Sequence, residues 1–177
     1  MSTTASTRRQ FQQLLVGLPL LPLATAWLPT AAQAHGERHD GHMQAGPVVK
    51  EQKPWGIAAE PHEAQRTVEI RMTDTMKFTP NHLNVREGET LRLRAVNRGQ
   101  VMHEIVIGTR EELAAHAELM KKHPGMEHDE PYMAHVSPGK RGDIVWTFNR
   151  SGDFEFACLI AGHFEAGMRG TVRVRAA

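Results

Sequence analysis

The only cysteine of the chain stands in a short stretch with a histidine and a methionine, side-chain types that bind soft metal ions. Four residues separate Cys158 from His163, and four separate His163 from Met168. Thiolate and thioether sulfur suit copper, and an imidazole nitrogen suits copper as well. This spacing puts all three donors on one loop, so we predict a metal site there.

A further histidine would complete a trigonal set of one cysteine and two histidines with a weak axial methionine, the donor set of blue-copper electron-transfer sites. The best candidate is His103, at the start of an apolar stretch that ends at Ile107. Taken singly, Cys158 could be a small buried hydrophobe, and Met168 or His103 a core residue. Their combination on one predicted fold favours a metal site, whose thiolate must be deprotonated, so binding should weaken in acid.

Residues 1–34 have the composition of an export signal. Arg8-Arg9 precede a largely apolar run from Leu14 to Leu28, and Ala32-Gln33-Ala34 fits the cleavage pattern. The run is short and contains two prolines, so we do not expect a transmembrane helix or any membrane insertion after cleavage. The paired arginines form a partial twin-arginine signal, which leaves the export route open.

The remaining residues are enough for one domain. The whole chain carries 21 basic and 20 acidic residues, and this balance gives no reason to expect nucleic acid or an anionic membrane as a partner. A single cysteine in an exported protein cannot form an internal disulfide, so Cys158 is either a free thiol or a metal ligand.

We predict a histidine-rich flexible leader and linker over residues 35–65. Its first part has little apolar content and contains His35, His39 and His42. These histidines form a candidate leader site for copper, assisted by the free α-amine if cleavage exposes His35. The alternative is a solvated leader without a role.

Alternation of apolar and polar residues from residue 66 onward predicts an all-β fold. Val68, Ile70 and Met72, for example, alternate with polar neighbours. Seven or so strands are predicted, over residues 68–72, 83–85, 91–95, 103–107, 144–148, 154–158 and 171–174. Short strands separated by turn signals indicate an antiparallel β-sandwich over residues 66–177.

An insertion over residues 109–139 interrupts this pattern. Residues 110–122 have apolar positions at helical spacing, with acidic residues at the start and basic residues at the end, which predicts a short helix. The histidines and methionines after it suit copper and give a candidate second copper site, composed of His123, Met126, His128 and His135. The alternative is a polar surface loop. We interpret His62, His82 and His116 as ordinary surface histidines.

Several of these stretches resemble the cupredoxin family. The resemblance covers roughly residues 66–174 and includes 76–80, 85–89, Asn97 before His103, 152–158 and 167–170, together with the Cys-His-Met spacing. The insertion and leader look most like those of the periplasmic copper-tolerance cupredoxins of the CopI type. The resemblance implies a Greek-key β-sandwich with one type 1 copper, whose ligands would be His103, Cys158, His163 and Met168. Glu104 departs from the asparagine common after the first ligand histidine.

The resemblance therefore predicts a periplasmic copper-binding protein for single-electron transfer, copper tolerance or both, and not an enzyme. Its partners would be a redox protein or a copper-handling protein of the periplasm. One alternative is a sequestration or chaperone protein that uses the histidine- and methionine-rich segments. A copper oxidoreductase fragment is a weaker alternative, because Cys158 is flanked by Ala157 and Leu159 rather than by histidines. A binuclear electron-transfer copper centre requires two cysteines, and the chain has one, so that centre is excluded.

Overall fold

A computed structural model describes residues 48–124, 126 and 128–176. The predicted signal segment, the first part of the predicted leader, and the candidate leader site of His35, His39 and His42 all lie outside the described residues. They remain predictions. No helix within the described residues is long and apolar enough to cross a membrane.

Eleven strands and one α-helix make up the described chain. The strands are β1 (Gln52–Lys53), β2 (Gly56–Ala58), β3 (Arg66–Thr73), β4 (Lys77–Thr79), β5 (His82–Arg86), β6 (Glu89–Asn97), β7 (His103–Gly108), β8 (Met133–Val136), β9 (Arg141–Phe148), β10 (Gly152–Ala157) and β11 (Arg169–Arg175). The helix α1 spans Arg110–Lys122, and a short 3-10 turn spans Pro61–Glu63.

The strands form two sheets, which confirms the predicted all-β sandwich. One sheet has the order β1-β2-β9-β6-β3-β4 and the other the order β5-β11-β10-β7-β8. Most neighbouring pairs are antiparallel, but β3 pairs with β6 and β5 pairs with β11 in parallel. The sandwich is therefore mixed rather than purely antiparallel as predicted from the sequence.

The inward side of the alternating strands forms the main core. Leu91, Leu93, Trp146, Phe148 and Phe156 are almost completely buried in it. Each such side chain contributes roughly 1.5–3 kcal/mol when it is removed from water. The alternation seen in the sequence is thus the direct cause of the two-layer packing.

The sheet begins before residue 66, where the predicted domain starts. Strand β2 pairs with β9, and Trp55 between β1 and β2 is buried against Trp146 and Tyr132. The Trp146 indole N–H also donates to the Trp55 carbonyl at 3.2 Å. This part of the predicted linker is therefore folded, and the prediction of a flexible linker was wrong here. Strands of two and three residues are too short to show an alternating pattern in the sequence.

The insertion covers the outer face of the second sheet. Thr109 caps α1 by accepting from the Glu112 N–H at 3.2 Å, and the helix has the bounds predicted from the sequence. Leu113, Ala117 and Met120 of the helix pack with Val106 and Leu159 in a second, smaller core. Strand β8, which the sequence did not predict, adds to the edge of this sheet beside β7.

Candidate metal centre

The four predicted ligands of the first site come from two neighbouring strands and one loop. His103 opens β7, and Cys158 directly follows β10, which pairs antiparallel with β7. The loop after Cys158 is closed by backbone bonds: the Met168 N–H donates to the His163 carbonyl, and the Cys158 N–H donates to the Met168 carbonyl. Gly162 and Gly167 lie in the left-handed region of backbone conformation, with φ of 90° and 87°, which favours glycine.

Three of the predicted ligands form one compact cluster. The Cys158 Sγ and the ligand nitrogens of His103 and His163 all lie within 4.8 Å of one another. The Cys158 Sγ is 3.2 Å from the His163 Nδ1, and the two imidazole rings have centroids 5.1 Å apart. Met168 is fully buried at the end of the same loop. Soft sulfur with two imidazoles is a donor set that suits copper.

His103 is oriented by a carboxylate that the sequence analysis did not identify. Its Nε2 is 3.0 Å from the Asp74 Oδ1, while its buried Nδ1 has no hydrogen-bond partner. A buried polar atom without a partner is costly, and a histidine that binds a metal commonly has its other nitrogen fixed by a carboxylate. The unpaired Nδ1 therefore fits a metal ligand.

Hydrogen bonds between side chains and the backbone fix Asp74 and the segment before His103. Asp74 also accepts from the Gln100 N–H at 2.7 Å, and these bonds, with the one from His103, lower the pKa of its carboxyl group. The buried Asn97 side chain donates to the carbonyls of Val101 and Val136, at 2.8 Å each. The turn before His103 is thus held by Asp74 through Gln100 and by Asn97 through Val101.

Burial determines the protonation of the metal-free site. It raises the pKa of the Cys158 thiol to about 12, and the negative charge of Glu104 acts in the same direction. Two backbone N–H groups, of Glu104 and Ile160, oppose this effect only in part. Burial, and then the neighbouring His103, lowers the pKa of His163. Near neutral pH the site therefore holds a thiol and a neutral His163 imidazole.

The structure does not bring the residues of the candidate second site into one cluster. Within residues 48–124, 126 and 128–176, the one group of three His, Cys, Asp or Glu ligand atoms close enough for a metal is that of His103, Cys158 and His163. His123 ends helix α1, exposed, and Met126 is exposed beyond it. A site of His123, Met126, His128 and His135 remains a prediction.

His128 and His135 each contact a residue that the sequence analysis did not associate with them. His128 lies against His116, with ring centroids 4.7 Å apart, and its buried Nδ1 has no hydrogen-bond partner. The Nε2 of His135 is 2.9 Å from the Glu104 Oε2. His116 is therefore half-buried rather than an ordinary surface histidine, because α1 turns this residue toward the loop.

Sequence signals for Asp74 and Glu104 were weak. Asp74 lies 29 residues before His103, in the turn between β3 and β4. No local pattern connects two residues so far apart in sequence. The departure from asparagine at Glu104 was visible, but its contacts with β8 and with Leu159 were not.

Comparison with known proteins agrees with this fold and site. The chain belongs to the plastocyanin/azurin family of copper-binding proteins, whose sequence model matches residues 50–175. Within this family its relatives indicate a cupredoxin of the CopI type. The copper-resistant cuproprotein CopI of Rubrivivax gelatinosus is 46% identical over 158 residues, which cover 89% of this chain and 96% of that protein. The protein of the same name from Vibrio cholerae is 30% identical over 84% of this chain and 94% of its own length.

Solved structures support the fold. The reduced auracyanin of the photosynthetic bacterium Roseiflexus castenholzii superposes with a TM-score of 0.54 at 24% identity, over 63% of this chain and 98% of its own. An auracyanin B structure gives a TM-score of 0.56 over 71% of this chain and 99% of its own. These comparisons confirm the cupredoxin fold.

Proposed function

We propose that this chain is a periplasmic cupredoxin that binds one type 1 copper, transfers single electrons and serves copper tolerance. The observation that carries the proposal is the cluster of the buried Cys158 thiol, the buried His103 imidazole and the half-buried His163 imidazole, whose ligand atoms lie within 4.8 Å of one another. The relatives named copper-resistant cuproproteins support the role in tolerance. The predicted signal segment supports export.

His103, Cys158 and His163 would hold the copper ion, with Met168 as the fourth, weaker ligand. Bound copper supplies a one-electron couple. Cys158 and Met168 are fully buried, and backbone bonds close the loop between them. The side chains are therefore positioned before any metal arrives, and both oxidation states would meet nearly the same ligand positions.

Asp74 and the backbone around Cys158 hold the ligands in orientation. The bond from the His103 Nε2–H to Asp74 leaves the Nδ1 of His103 as the ligand atom. The Glu104 N–H donates to the Cys158 Sγ at 3.4 Å, which limits the motion of the sulfur and stabilises its thiolate form. Cys158 is itself fully buried, which keeps water away from the thiolate.

A storage or chaperone role is the second candidate, and the contact between His116 and His128 favours it. The two rings lie together within the insertion, and the His128 Nδ1 is buried without a hydrogen-bond partner. An imidazole pair of this kind could hold additional copper. In this case copper beyond one equivalent would bind, and electron exchange with a periplasmic redox protein would be slow.

We propose that the protein makes and breaks no covalent bonds in a substrate. Its relatives are named as cuproproteins. Its partner would be a redox protein or a copper-handling protein of the periplasm. A copper oxidoreductase activity would require additional copper centres, and turnover of a small-molecule substrate would contradict our proposal.

The first experiment is a Cu(II) titration of the mature protein, followed by visible absorption, electron paramagnetic resonance and metal analysis. We expect one intense thiolate-to-copper band that is absent in Cys158→Ser. Substitution of His123, Met126 and His128 by alanine is the matched control, because these three residues lie outside the cluster of His103, Cys158 and His163, whereas His135 is omitted because it contacts Glu104. A folded wild-type protein without this band would contradict the proposal, whereas copper beyond one equivalent that is lost with those alanines would favour storage.

A further inference from the structure

Glu104 is a buried acidic residue between the metal cluster and the insertion. It follows His103 in β7, and only 2% of its surface is exposed. Its side chain lies on the same face of β7 as Val106, two residues further on, and α1 packs against Val106. Burial of a carboxylate is costly unless its oxygens have hydrogen-bond partners. The partners of the Glu104 carboxylate therefore indicate its structural role.

Both carboxylate oxygens are used, and each bonds to a different part of the chain. The Oε1 accepts from the Leu159 N–H at 2.7 Å, directly after Cys158. The Oε2 is 2.9 Å from the His135 Nε2, on the neighbouring strand β8. One side chain thus connects the end of β10, which carries the thiol, with the strand that the insertion adds to the sheet.

The backbone of the same residue contacts the thiol itself. The Glu104 N–H donates to the Cys158 Sγ at 3.4 Å. Glu104 therefore holds the sulfur through its main chain and the following peptide through its side chain. Any shift of this residue would move both groups together.

We propose that Glu104 is a positioning residue of the metal centre, which fixes the Cys158–Leu159 peptide and whose negative charge lowers the reduction potential of the bound copper. This inference rests on the function proposed above. A negative charge in a site of low dielectric constant stabilises the more positive oxidation state of a nearby metal. Removal of the charge should therefore favour Cu(I), and loss of the bond to Leu159 should alter the geometry at sulfur.

Two substitutions separate the effect of the negative charge of Glu104 from the effect of its bonds to Leu159 and His135. Glu104→Gln keeps the length of the side chain and an oxygen that can accept from Leu159, but it removes the charge. We expect the equilibrium to shift about tenfold toward Cu(I), a rise in potential of about 59 mV for a one-electron couple, with a nearly unchanged absorption band. Glu104→Asp keeps the charge but cannot reach both partners, so we expect a displaced band and altered copper hyperfine splitting with a smaller change in potential.

Glu155→Gln is the matched control. Glu155 is also a buried acid that bonds the second sheet to the insertion, because the Arg110 Nε donates to its Oε1 at 2.8 Å. It lies on β10, outside the cluster of His103, Cys158 and His163. We expect this variant to change the free energy of unfolding without moving the potential or the spectrum.

The outcomes distinguish this inference from the proposed function. A wild-type protein without the thiolate-to-copper band would refute the function itself. The wild type could instead show a normal band while the reduction potential of Glu104→Gln equals that of Glu155→Gln or lies below it. This result would overturn the role of Glu104 and leave the proposed function unaffected. If Glu104→Gln does not fold, Glu104→Asp decides, because a spectrum identical to the wild type would show that the bonds of Glu104 do not position the sulfur.

Discussion

The buried thiol makes copper binding depend on pH in a way that can be measured. Burial raises the pKa of Cys158 to about 12, while burial and His103 lower the pKa of His163. Copper binds the thiolate, so the thiol must lose its proton on binding. His163 is already neutral near pH 7 and contributes no proton there. One proton per copper should therefore come from Cys158 throughout the neutral and mildly alkaline range.

The magnitude follows from the size of the pKa shift. An increase from the ordinary value of 9.0 to about 12 reduces affinity at neutral pH by about 4 kcal/mol, at 1.36 kcal/mol for each pKa unit. The apparent association constant should rise about tenfold for each pH unit and should still do so between about pH 9 and pH 10. A thiol with the ordinary pKa would give a rise of only about twofold over that last interval.

The assay is a competition titration against a chelator of known proton affinity, at several pH values up to about 10. Calorimetry near neutral pH in two buffers with different ionisation enthalpies should independently give one proton released per copper. Cys158→Ser is the control, in which this proton release should be absent. An affinity that levels off near pH 9 would refute the argument, because it would show that the folded site does not retain the proton of the thiol.

Three substitutions test the surroundings of the site. Asp74→Ala should weaken copper binding about 10–100-fold, because the His103 Nε2 loses its acceptor; a competition titration measures this, with Asp74→Asn less affected. Gly170→Ala should lower the free energy of unfolding by about 1–3 kcal/mol in urea, because the added Cβ would lie 2.1 Å from the Phe156 ring. Thr109→Ala should cost about 1 kcal/mol in the same assay, because it removes the cap of α1, while the copper spectrum stays unchanged.

Each of these expectations can fail independently. An Asp74→Ala protein with wild-type affinity would mean that the bond to His103 does not orient the ligand. If Gly170→Ala unfolds at the wild-type urea concentration, β11 can move away from Phe156 more easily than the packing indicates. A change of the copper spectrum in Thr109→Ala would mean that the start of α1 influences the metal cluster.

Much of the fold was predictable because its signals are local. The alternation in β3, β6 and β9 records which side of each strand faces the core, and a period of two can be read without knowledge of the partner strand. The bounds of α1 were predicted because acidic residues begin it and basic residues end it. Strands β1, β2, β4 and β8 were missed because two to four residues carry too little pattern, and each forms only against a neighbour.

For the metal centre, the sequence by itself determined the donor types and the spacing of Cys158, His163 and Met168. Both are properties of one short segment. Only the tertiary structure decided that Asp74 orients His103, that Glu104 connects Leu159 with His135, and that His116 meets His128. These contacts join residues that are distant in sequence, and they depend on how the sheets and the insertion pack rather than on any local period.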